Sequence, residues 1–595
     1  MKTKNRLLIL SLFGIGFLSL QAQNLATLDE TVIKDTVFAI SQKSDIISKT
    51  VHASGQVAFS SKSGYVRVLL TDESGYDLLV YETFPLLATN GIDVFDNVAL
   101  ETGNIPSFFS ATRIRVEIEN AELKNLSIDV SEKGIIKEQQ QKVKSDRITL
   151  INKNLRKQNE LWTADETSVS QLSYEEKKHL FKGRVPDLQG FEYYKGGVFK
   201  LYSDNKSEND LKPGSSQAVS INCISSFDWR NRHGQYWLTS VKSQSPCGSC
   251  GIFAATGATE ALVNLYYNQH INYDLAEQQA VSCLSSSSYN CNTGWFPSDI
   301  LDYYTNTGVV NESCFPYQGN SSIPCSDICD NPTERIKIGG RVDFPSTYYP
   351  RTEESLKKMI IRYGPISGGI SSWGHAMTLS GYYNDTIDNS VVWIFKNSWG
   401  ASWGDNGWGY IKVDMSDIGW THALLPPVTS LNYTNADIVC EDRDGDGYYF
   451  WGIGPKPAHC PPCAPDEPDG DDSNPNLGPM DEYGYCEAIT PLVENITTSQ
   501  TWNTNRTVCR NLVVQSGTTL TITATVFMQA HKVTTQNGGK IILSGGTIDN
   551  GNIIAQSGSE LTITNNGKIL LGSYDNLDIQ LGAIFNDIYG EILLK

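Results

Sequence analysis

The stretch Val241-Lys-Ser-Gln-Ser-Pro-Cys-Gly-Ser-Cys-Gly251 precedes a segment whose apolar residues recur at helical spacing. That spacing predicts one helical face made of Ala255, Ala258, Leu262 and Leu265. Cys250 then stands where the helix begins. The positive end of a helix favours a thiolate over a thiol, so Cys250 is a candidate nucleophile. Cys247 and Cys250 also form a CxxC pair, and a redox pair or a metal clip is the alternative interpretation.

Two further motifs lie downstream of this cysteine. Gly374-His-Ala376 leads into an alternating, strand-like run, and Lys396-Asn-Ser-Trp-Gly400 follows later in the chain. A nucleophilic thiolate needs an imidazole that stabilises it and then protonates the departing amine. A neutral amide can orient that imidazole without adding charge. His375 and Asn397, 125 and 147 residues beyond Cys250, are the candidates for these roles.

In this order and spacing, the three motifs resemble those of the papain family of cysteine peptidases over residues 220–428. The resemblance implies an α+β peptidase core with Cys250 as the nucleophile, His375 as the base, Asn397 as the residue that orients the imidazole, and Gln244 as an oxyanion donor. It also implies that Trp399 and Trp403 shield the His–Asn hydrogen bond from water. No cofactor is expected for catalysis.

The cysteines extend this resemblance, with a spacing similar to that of cathepsin C. The implied disulfides are Cys247–Cys291, Cys283–Cys325 and Cys314–Cys329, which leaves Cys250 as a thiol. The six other cysteines allow 15 pairings that the sequence does not decide: Cys223, Cys440, Cys460, Cys463, Cys486 and Cys509.

Three positions depart from the family pattern. Gly251 stands where an aromatic residue is usual, Gly374 where Asp or Asn is usual, and Thr293 where a glycine commonly lines the substrate wall. These departures predict altered activity, although the catalytic residues are all present. His422 also precedes an alanine, but it follows the Asn397 motif and is expected to be an ordinary surface or packing histidine.

The length of 595 residues predicts several domains. Basic residues precede an apolar run at 7–20, and a small residue at Ala22 suits cleavage, so residues 1–22 are predicted to be a signal peptide. The run is too short for a membrane anchor, which is the alternative. The protein is therefore expected to be secreted, or periplasmic or on the cell surface in a bacterial source. The net charge of −19 argues against a nucleic-acid partner.

The flanking regions differ in pattern from the peptidase core at 221–428. Short alternating runs predict a β-sandwich over 23–131, and repeated Thr, Ile and Gly phrases about 20 residues apart predict a β-solenoid over 491–595. Residues 132–220 show helical spacing, which includes Leu161 and Trp162, and end in an exposed connector at 212–220. Part of this segment resembles the end of a papain-family propeptide, which would cover the catalytic cleft until it is cut. The alternative is a linker helix.

An acidic module is expected over 429–490, because residues 437–487 contain 13 acidic side chains and only two basic ones. Asp442, Asp444 and Asp446 alternate with glycines in a pattern that suits Ca²⁺. Ile453 occupies the twelfth position, where an EF-hand needs a ligand, and the module resembles a thrombospondin type 3 repeat instead. Possible later ligands are Asp466, Asp469, Asp471 and Asp472. The alternative is a solvated acidic linker.

These observations predict a multidomain, secreted cysteine peptidase that is made as a zymogen and acts on proteins or peptides. An endopeptidase is favoured over an exopeptidase of the cathepsin C type. A different class of function, surface adhesion through the β-domains and the calcium module, remains the competing hypothesis. No transmembrane anchor is expected, and the oligomeric state is not set by the sequence.

Overall fold

The structure is a computed structural model. It describes residues 23–28, 30–40, 50–101, 105–131, 137–181, 183–186, 189–201, 223–271, 273–332, 335–426, 428–430, 437–491, 493–529, 531–572 and 575–594. The predicted signal peptide and the 212–220 connector lie outside these residues. The chain forms two units, one running to Gln158 and including Ser173–Glu175, the other comprising Asn159–Leu172 and Glu176–Lys595.

The first unit contains two antiparallel four-stranded sheets and one long helix. One sheet has the spatial order Gln23–Leu28, Ala121–Ser131, Thr50–Phe59, Ile92–Val98. The other has the order Thr36–Ala39, Arg113–Glu119, Tyr65–Thr71, Asp77–Thr83. Alternate apolar residues of both sheets, among them Val51, Val68, Val116 and Leu123, form one buried core. This arrangement agrees with the alternation of apolar and polar residues in the sequence.

The segment after residue 131 is helical only in part. Lys137–Gln158 is a helix, but Leu161–Ala164 is a strand, so the helical prediction at Leu161 and Trp162 was wrong. Asn159 adopts a positive φ of 56° directly after the helix, a conformation that asparagine tolerates better than most residues. Leu161–Ala164 then pairs with Tyr194–Lys200, a partner about thirty residues away that helical spacing does not reveal.

The peptidase core consists of helices packed against a nine-stranded sheet. Its helices are Cys250–Tyr267, Glu277–Cys283, Pro297–Asn306 and Glu353–Tyr363. Eight strands follow one another in the order Gly340–Phe344, Ile418–Leu425, Ile366–Ile370, His375–Asn384, Val391–Lys396, Trp408–Lys412, Tyr194–Lys200, Leu161–Ala164, and Ser226–Asp228 pairs with His375–Asn384. A small sheet of Val309–Val310, Arg335–Lys337 and Thr429–Ser430 lies outside this order. The helix Cys250–Tyr267, called the central helix below, is buried at every position except Tyr266.

A segment that precedes the core in sequence adds to its sheet. This covering segment, residues 176–201, comprises most of the helix Tyr174–Leu180, a short 3-10 turn at Phe191–Tyr193 and the strand Tyr194–Lys200. Val198–Lys200 pair in parallel with Tyr410–Lys412. The covering segment is therefore hydrogen-bonded to the peptidase core as an additional strand of its sheet.

The acidic module, residues 437–491, contains little regular structure beyond the strands Leu477–Met480 and Cys486–Ala488. It leads into the predicted β-solenoid, which is present as three parallel five-stranded sheets. Corresponding residues of successive rungs stack in register, as Leu520, Ile541 and Leu561 do in the buried interior. The solenoid strands, in sequence order, are Val493–Ile496, Gln500–Trp502, Arg506–Thr507, Asn511–Val514, Thr519–Ile522, Thr525–Phe527, Lys532–Thr535, Lys540–Ser544, Thr547–Asp549, Asn552–Ala555, Glu560–Thr564, Lys568–Leu571, Leu577–Ile579, Ile584–Ile588 and Glu591–Leu594.

Five disulfides link the cysteines. The three implied by the family resemblance, Cys247–Cys291, Cys283–Cys325 and Cys314–Cys329, are confirmed. The pairings that the sequence left open are Cys440–Cys460 within the acidic module and Cys463–Cys509 between that module and the solenoid. Cys223, Cys250 and Cys486 form no disulfide. In the described part of the chain, no helix has both the length and the apolar character needed to cross a membrane.

Candidate active site

Cys250 is the first residue of the central helix, as the sequence predicted. It is fully buried and packs against Ala254 of the same helix and Ala376 of the neighbouring strand. Ser249 caps the helix without a side-chain hydrogen bond to the helix backbone. The backbone N–H groups of the first turn and the helix dipole therefore face the thiol and favour its ionised form.

His375 and Asn397 come together because they lie on adjacent antiparallel strands. His375 is the first residue of its strand, and Asn397 directly follows the strand Val391–Lys396. The imidazole Nε2 lies 2.7 Å from Asn397 Oδ1, and the backbone N–H of Ser398 donates to the same oxygen at 2.7 Å. An amide oxygen only accepts hydrogen bonds, so Nε2 carries the proton in this contact. The arrangement fixes the ring, and Nδ1 has no hydrogen-bond partner among the described residues.

Tryptophan covers this hydrogen bond. The Trp399 ring stacks on the His375 ring with centroids 4.2 Å apart, and Trp403 contacts Trp399 edge to face at 5.2 Å. His375 and Trp403 are fully buried, and Trp399 is nearly so. A hydrogen bond in such a water-poor environment holds its geometry better than an exposed one.

Gln244 lies beside the cysteine, but both ends of its side-chain amide are engaged. Its Oε1 accepts from the Ser398 hydroxyl at 2.7 Å, and its Nε2 donates to the carbonyl of Cys247 at 2.8 Å. The amide retains a second N–H on the same nitrogen. Gln244 is thus held in a fixed position between the loop before Cys250 and the loop after Asn397.

Tyr317 is a residue of this region that the sequence reasoning missed. Its hydroxyl donates to the backbone carbonyl of Gln244 at 2.6 Å and lies 2.7 Å from the Ser249 hydroxyl. Burial raises the pKa of Tyr317 above its ordinary value, which keeps the hydroxyl protonated as a donor. In the sequence, only its position in the motif Cys314-Phe-Pro-Tyr317 could have drawn attention to it.

Not every family departure has a local structural cause. A Cβ at Gly251 would lie 2.3 Å from the carbonyl oxygen of Trp295, so no larger residue fits there without a backbone shift. Gly374 has a positive φ of 59° in the tight turn between Ile366–Ile370 and His375–Asn384, but Asp and Asn tolerate this conformation and a Cβ there would meet open space, so nothing in the structure explains this departure. Thr293 accepts a hydrogen bond from the backbone N–H of Asn290 at 3.0 Å and stabilises its own loop.

The covering segment lies over these groups. The Phe181 ring contacts the rings of His375 and Trp399, with centroids 6.3 and 5.6 Å apart. On the other side of the cysteine, a Cβ at Gly248 would lie 3.2 Å from the carbonyl oxygen of His179. His179 and Phe181 of the covering segment therefore lie close to Gly248 and His375, on the candidate site.

Further contacts anchor the same segment on the core. Phe191 stacks on Trp373 with centroids 4.1 Å apart, and its carbonyl accepts from the Trp403 indole at 3.0 Å. Lys195 donates to the carbonyl of Ser402 at 2.6 Å. These contacts hold the part of the covering segment that follows Phe181.

His422 occupies a different place. Its Nδ1 lies 2.8 Å from Asp343 Oδ1, on the strand next to its own. Burial lowers the pKa of His422 below its ordinary value, although Asp343 opposes this effect. His422 thus pairs with a carboxylate on a neighbouring strand, as expected for a surface or packing histidine.

A buried charged cluster includes Glu260 of the central helix. Lys242 contacts Glu260 and Glu277 at 2.8 and 3.0 Å, and Lys396 Nζ donates to the Thr239 hydroxyl at 2.9 Å. Burial lowers the pKa of Lys396 to about 8, with partial compensation from Glu260. The charged form of the Lys396 side chain, directly before Asn397, is therefore destabilised by burial.

The acidic module brings five aspartates together. Two groups of carboxylates each have ligand atoms within 4.8 Å of one another, Asp442 with Asp444 and Asp472, and Asp444 with Asp446 and Asp469. Burial, with repulsion from the neighbouring carboxylates, raises the pKa of Asp442 to about 8 and of Asp469 to about 9. The other two candidate ligands are not in either group: Asp466 is an exposed partner of Lys456, and Asp471 contacts Arg232.

Comparisons with known proteins find similar sequences and structures. A family model described as papain family cysteine protease matches residues 223–379 and 369–425. Zingipain-2 of Zingiber officinale is 30% identical over 210 residues, which is 32% of this chain and 87% of zingipain-2. A viral cathepsin of Adoxophyes honmai nucleopolyhedrovirus is 31% identical over 221 residues, or 34% of this chain and 61% of the cathepsin.

The similarity is confined to part of each protein. This chain spans about three fifths of the length of the viral cathepsin it matches. The structure of digestive procathepsin L2 from Tenebrio molitor superimposes with a TM-score of 0.35 at 22% identity, over 49% of this chain and 94% of that one.

Proposed function

The chain belongs to the papain family of cysteine proteases, and on that premise we propose that it hydrolyses peptide bonds through Cys250, His375 and Asn397. The observation that carries the proposal is the His375–Asn397 hydrogen bond of 2.7 Å beneath Trp399, beside a cysteine at a helix N-terminus. This arrangement holds an imidazole with its Nδ1 unengaged by any hydrogen bond within the described residues.

In the proposed reaction, the Cys250 thiolate attacks the carbonyl carbon of the substrate and forms a C–S bond. The His375 imidazolium gives its proton to the departing amine, and the C–N bond breaks. Water then attacks the thioester, His375 takes a proton from that water, and the thiolate leaves. The second N–H of Gln244 and the backbone N–H of Cys250 are the donors proposed for the oxyanion.

We also propose that the covering segment keeps the chain latent. Phe181 lies against His375 and Trp399, where a substrate must bind, and the strand Tyr194–Lys200 fastens the segment to the core. A tethered segment competes with substrate at a high effective concentration. Cutting between the covering segment and Phe227 would release it.

We include three further properties in the proposal: endopeptidase action, secretion and a structural calcium ion. Endopeptidase action is favoured because the sequence offers no recognisable histidine-containing loop that would block one end of the cleft. Secretion is supported by the five disulfides, which form in oxidising compartments. Ca²⁺ bound by Asp442, Asp444 and Asp446 is proposed as a structural ion of the acidic module, without a role in catalysis.

The test is hydrolysis of quenched fluorescent peptides that are blocked at both ends, by the chain cut before Phe227. An endopeptidase cleaves such peptides internally, and an exopeptidase of the cathepsin C type leaves them intact while it cleaves peptides with a free N-terminus. Failure to cleave either class, with the disulfides formed and the fold intact, would contradict the peptidase proposal and favour a binding role for the flanking domains.

A further inference from the structure

The acidic module is built from two loops that face each other. The first loop, residues 442–447, contributes Asp442, Asp444 and Asp446, and the second, residues 469–474, contributes Asp469 and Asp472. Four of these five carboxylates are almost completely buried, with Asp446 fully so. Among the described residues, Arg443 pairs with the cluster at 3.2 Å from Asp472, and it is shared with Glu441, also at 3.2 Å. Five carboxylates and this shared arginine leave at least four negative charges to be balanced.

Three of these carboxylates are oriented in the same way. Asp444, Asp446 and Asp469 each use Oδ1 to accept a backbone N–H, from Asp446 at 3.1 Å, Tyr448 at 2.7 Å and Asp471 at 2.8 Å respectively. Their Oδ2 atoms are buried and have no hydrogen-bond partner among the described residues. The three residues also form a group in which one carboxylate oxygen of each lies within 4.8 Å of the others, and buried, unpartnered oxygens in such a group form a ligand set for a hard cation.

The first loop is attached to the solenoid. The side chain of Asn511 donates to the carbonyl of Gly445 at 2.8 Å. His531 lies 2.8 Å from the Tyr449 hydroxyl and 3.5 Å from Asp442. The Cys463–Cys509 disulfide adds a covalent link from the module to the first rungs.

Both loops are attached to the peptidase core, and Arg443 of the first loop donates to the carbonyl of Asn268 at 3.3 Å. The backbone N–H of Asp472 donates to His233 Nδ1 at 3.0 Å, and the backbone N–H of His233 donates to Asp471 at 3.2 Å. The ring of His233 stacks on Phe450 with centroids 3.6 Å apart. Asn268, the C-cap of the central helix, donates to the carbonyls of Val439 and Phe450 at 3.0 and 2.9 Å.

We propose that the two loops share two divalent cations of the Ca²⁺ class, and that these ions fasten the solenoid to the peptidase core. This inference rests on the calcium proposed above and selects Asp469 and Asp472 from the four possible later ligands. Two divalent ions balance the four excess charges, and Asp444 bridges the two groups. The first loop is bonded to the solenoid and also to the core, and the second loop is bonded to the core, so ions held by both loops order the module through which the two parts are joined.

The first experiment measures Ca²⁺ binding to the full chain by calorimetry. The expected stoichiometry is two ions per chain. Asp469→Asn keeps the size of the side chain but removes a ligand charge, and it should abolish one ion or weaken its binding by at least tenfold. Asp466→Asn, an exposed acidic residue of the same module, is the matched control and should bind both ions unchanged.

The second experiment measures hydrogen exchange of the full chain with Ca²⁺ and with a chelator, which requires no substitution. Removal of the ions should accelerate exchange at least tenfold at 264–269 of the core and at 509–513 of the solenoid, but not in the distant rungs at 541–543. Ca²⁺ binding without such a change would overturn the fastening role and leave the calcium proposal standing. Absence of Ca²⁺ binding would overturn both, and neither result bears on peptide hydrolysis.

Discussion

Replacing Phe181 with alanine should activate the uncut chain, because this ring is the part of the covering segment that lies against His375 and Trp399. The side chain is 3% exposed, so its burial contributes about 2 kcal/mol to the closed state. At 1.4 kcal/mol per factor of ten, loss of the ring raises the open fraction about 30-fold. The rate of peptide hydrolysis by the uncut chain should rise by the same factor, up to the rate of the processed enzyme.

The assay compares initial rates of the uncut and processed forms, each normalised to the concentration of reactive thiol. Processing is followed by electrophoresis so that only uncut chain is scored. Phe108→Ala makes the same substitution at a residue that is 68% exposed in the first unit, and it should leave the rate unchanged. An unchanged rate for Phe181→Ala, in a chain that is activated by cutting, would refute the role of this ring in latency.

Four further substitutions test the core. His375→Ala should reduce hydrolysis as severely as loss of the nucleophile while His422→Ala remains nearly silent, and the reverse ranking of rates would show that the wrong histidine was assigned. Gly251→Trp should lower the melting temperature markedly because its Cβ meets Trp295, and an unchanged melting curve would contradict that contact. The pKa of Lys396 is about 8 in the folded protein, below the ordinary value of 10.5 that applies to the unfolded chain. Below pH 8 the buried side chain is charged and lowers the free energy of unfolding. Between pH 8 and 10.5 the folded protein loses this proton before the unfolded chain does, so the stability rises with pH. The free energy of unfolding of the wild type should therefore rise relative to that of Lys396→Met by up to about 3 kcal/mol between pH 8 and 10.5, as measured by denaturant titrations. A difference that does not change with pH would contradict the buried charge.

Much of the peptidase core could be predicted from the sequence because its signals are local and dense. Cys250 at a helix start and the strand after His375 follow from short motifs in one order, and the three disulfides follow from the family resemblance that those motifs carry. The solenoid was predictable for a related reason, since each rung repeats the same apolar positions. Local periodicity and spacing are properties that a single sequence displays directly.

The remainder depends on contacts between distant segments. Leu161–Ala164 is a strand only because Tyr194–Lys200 lies beside it, and nothing in its own composition indicates that partner. Tyr317 supports Gln244 from a loop more than seventy residues away. Likewise, Asp469 joins Asp444 and Asp446 because two loops fold together, whereas Asp466, equally acidic in sequence, points into solvent.

The most direct test of the catalytic assignment is to locate the adduct of an epoxide-type thiol inhibitor on the processed protein by mass spectrometry. The adduct should lie on Cys250, and Cys250→Ala should lose both the adduct and all hydrolysis while its melting curve is retained. Cys223 and Cys486, which also form no disulfide, serve as internal controls and should remain unlabelled. An adduct on either of these two residues, or turnover that persists in Cys250→Ala, would contradict the assignment.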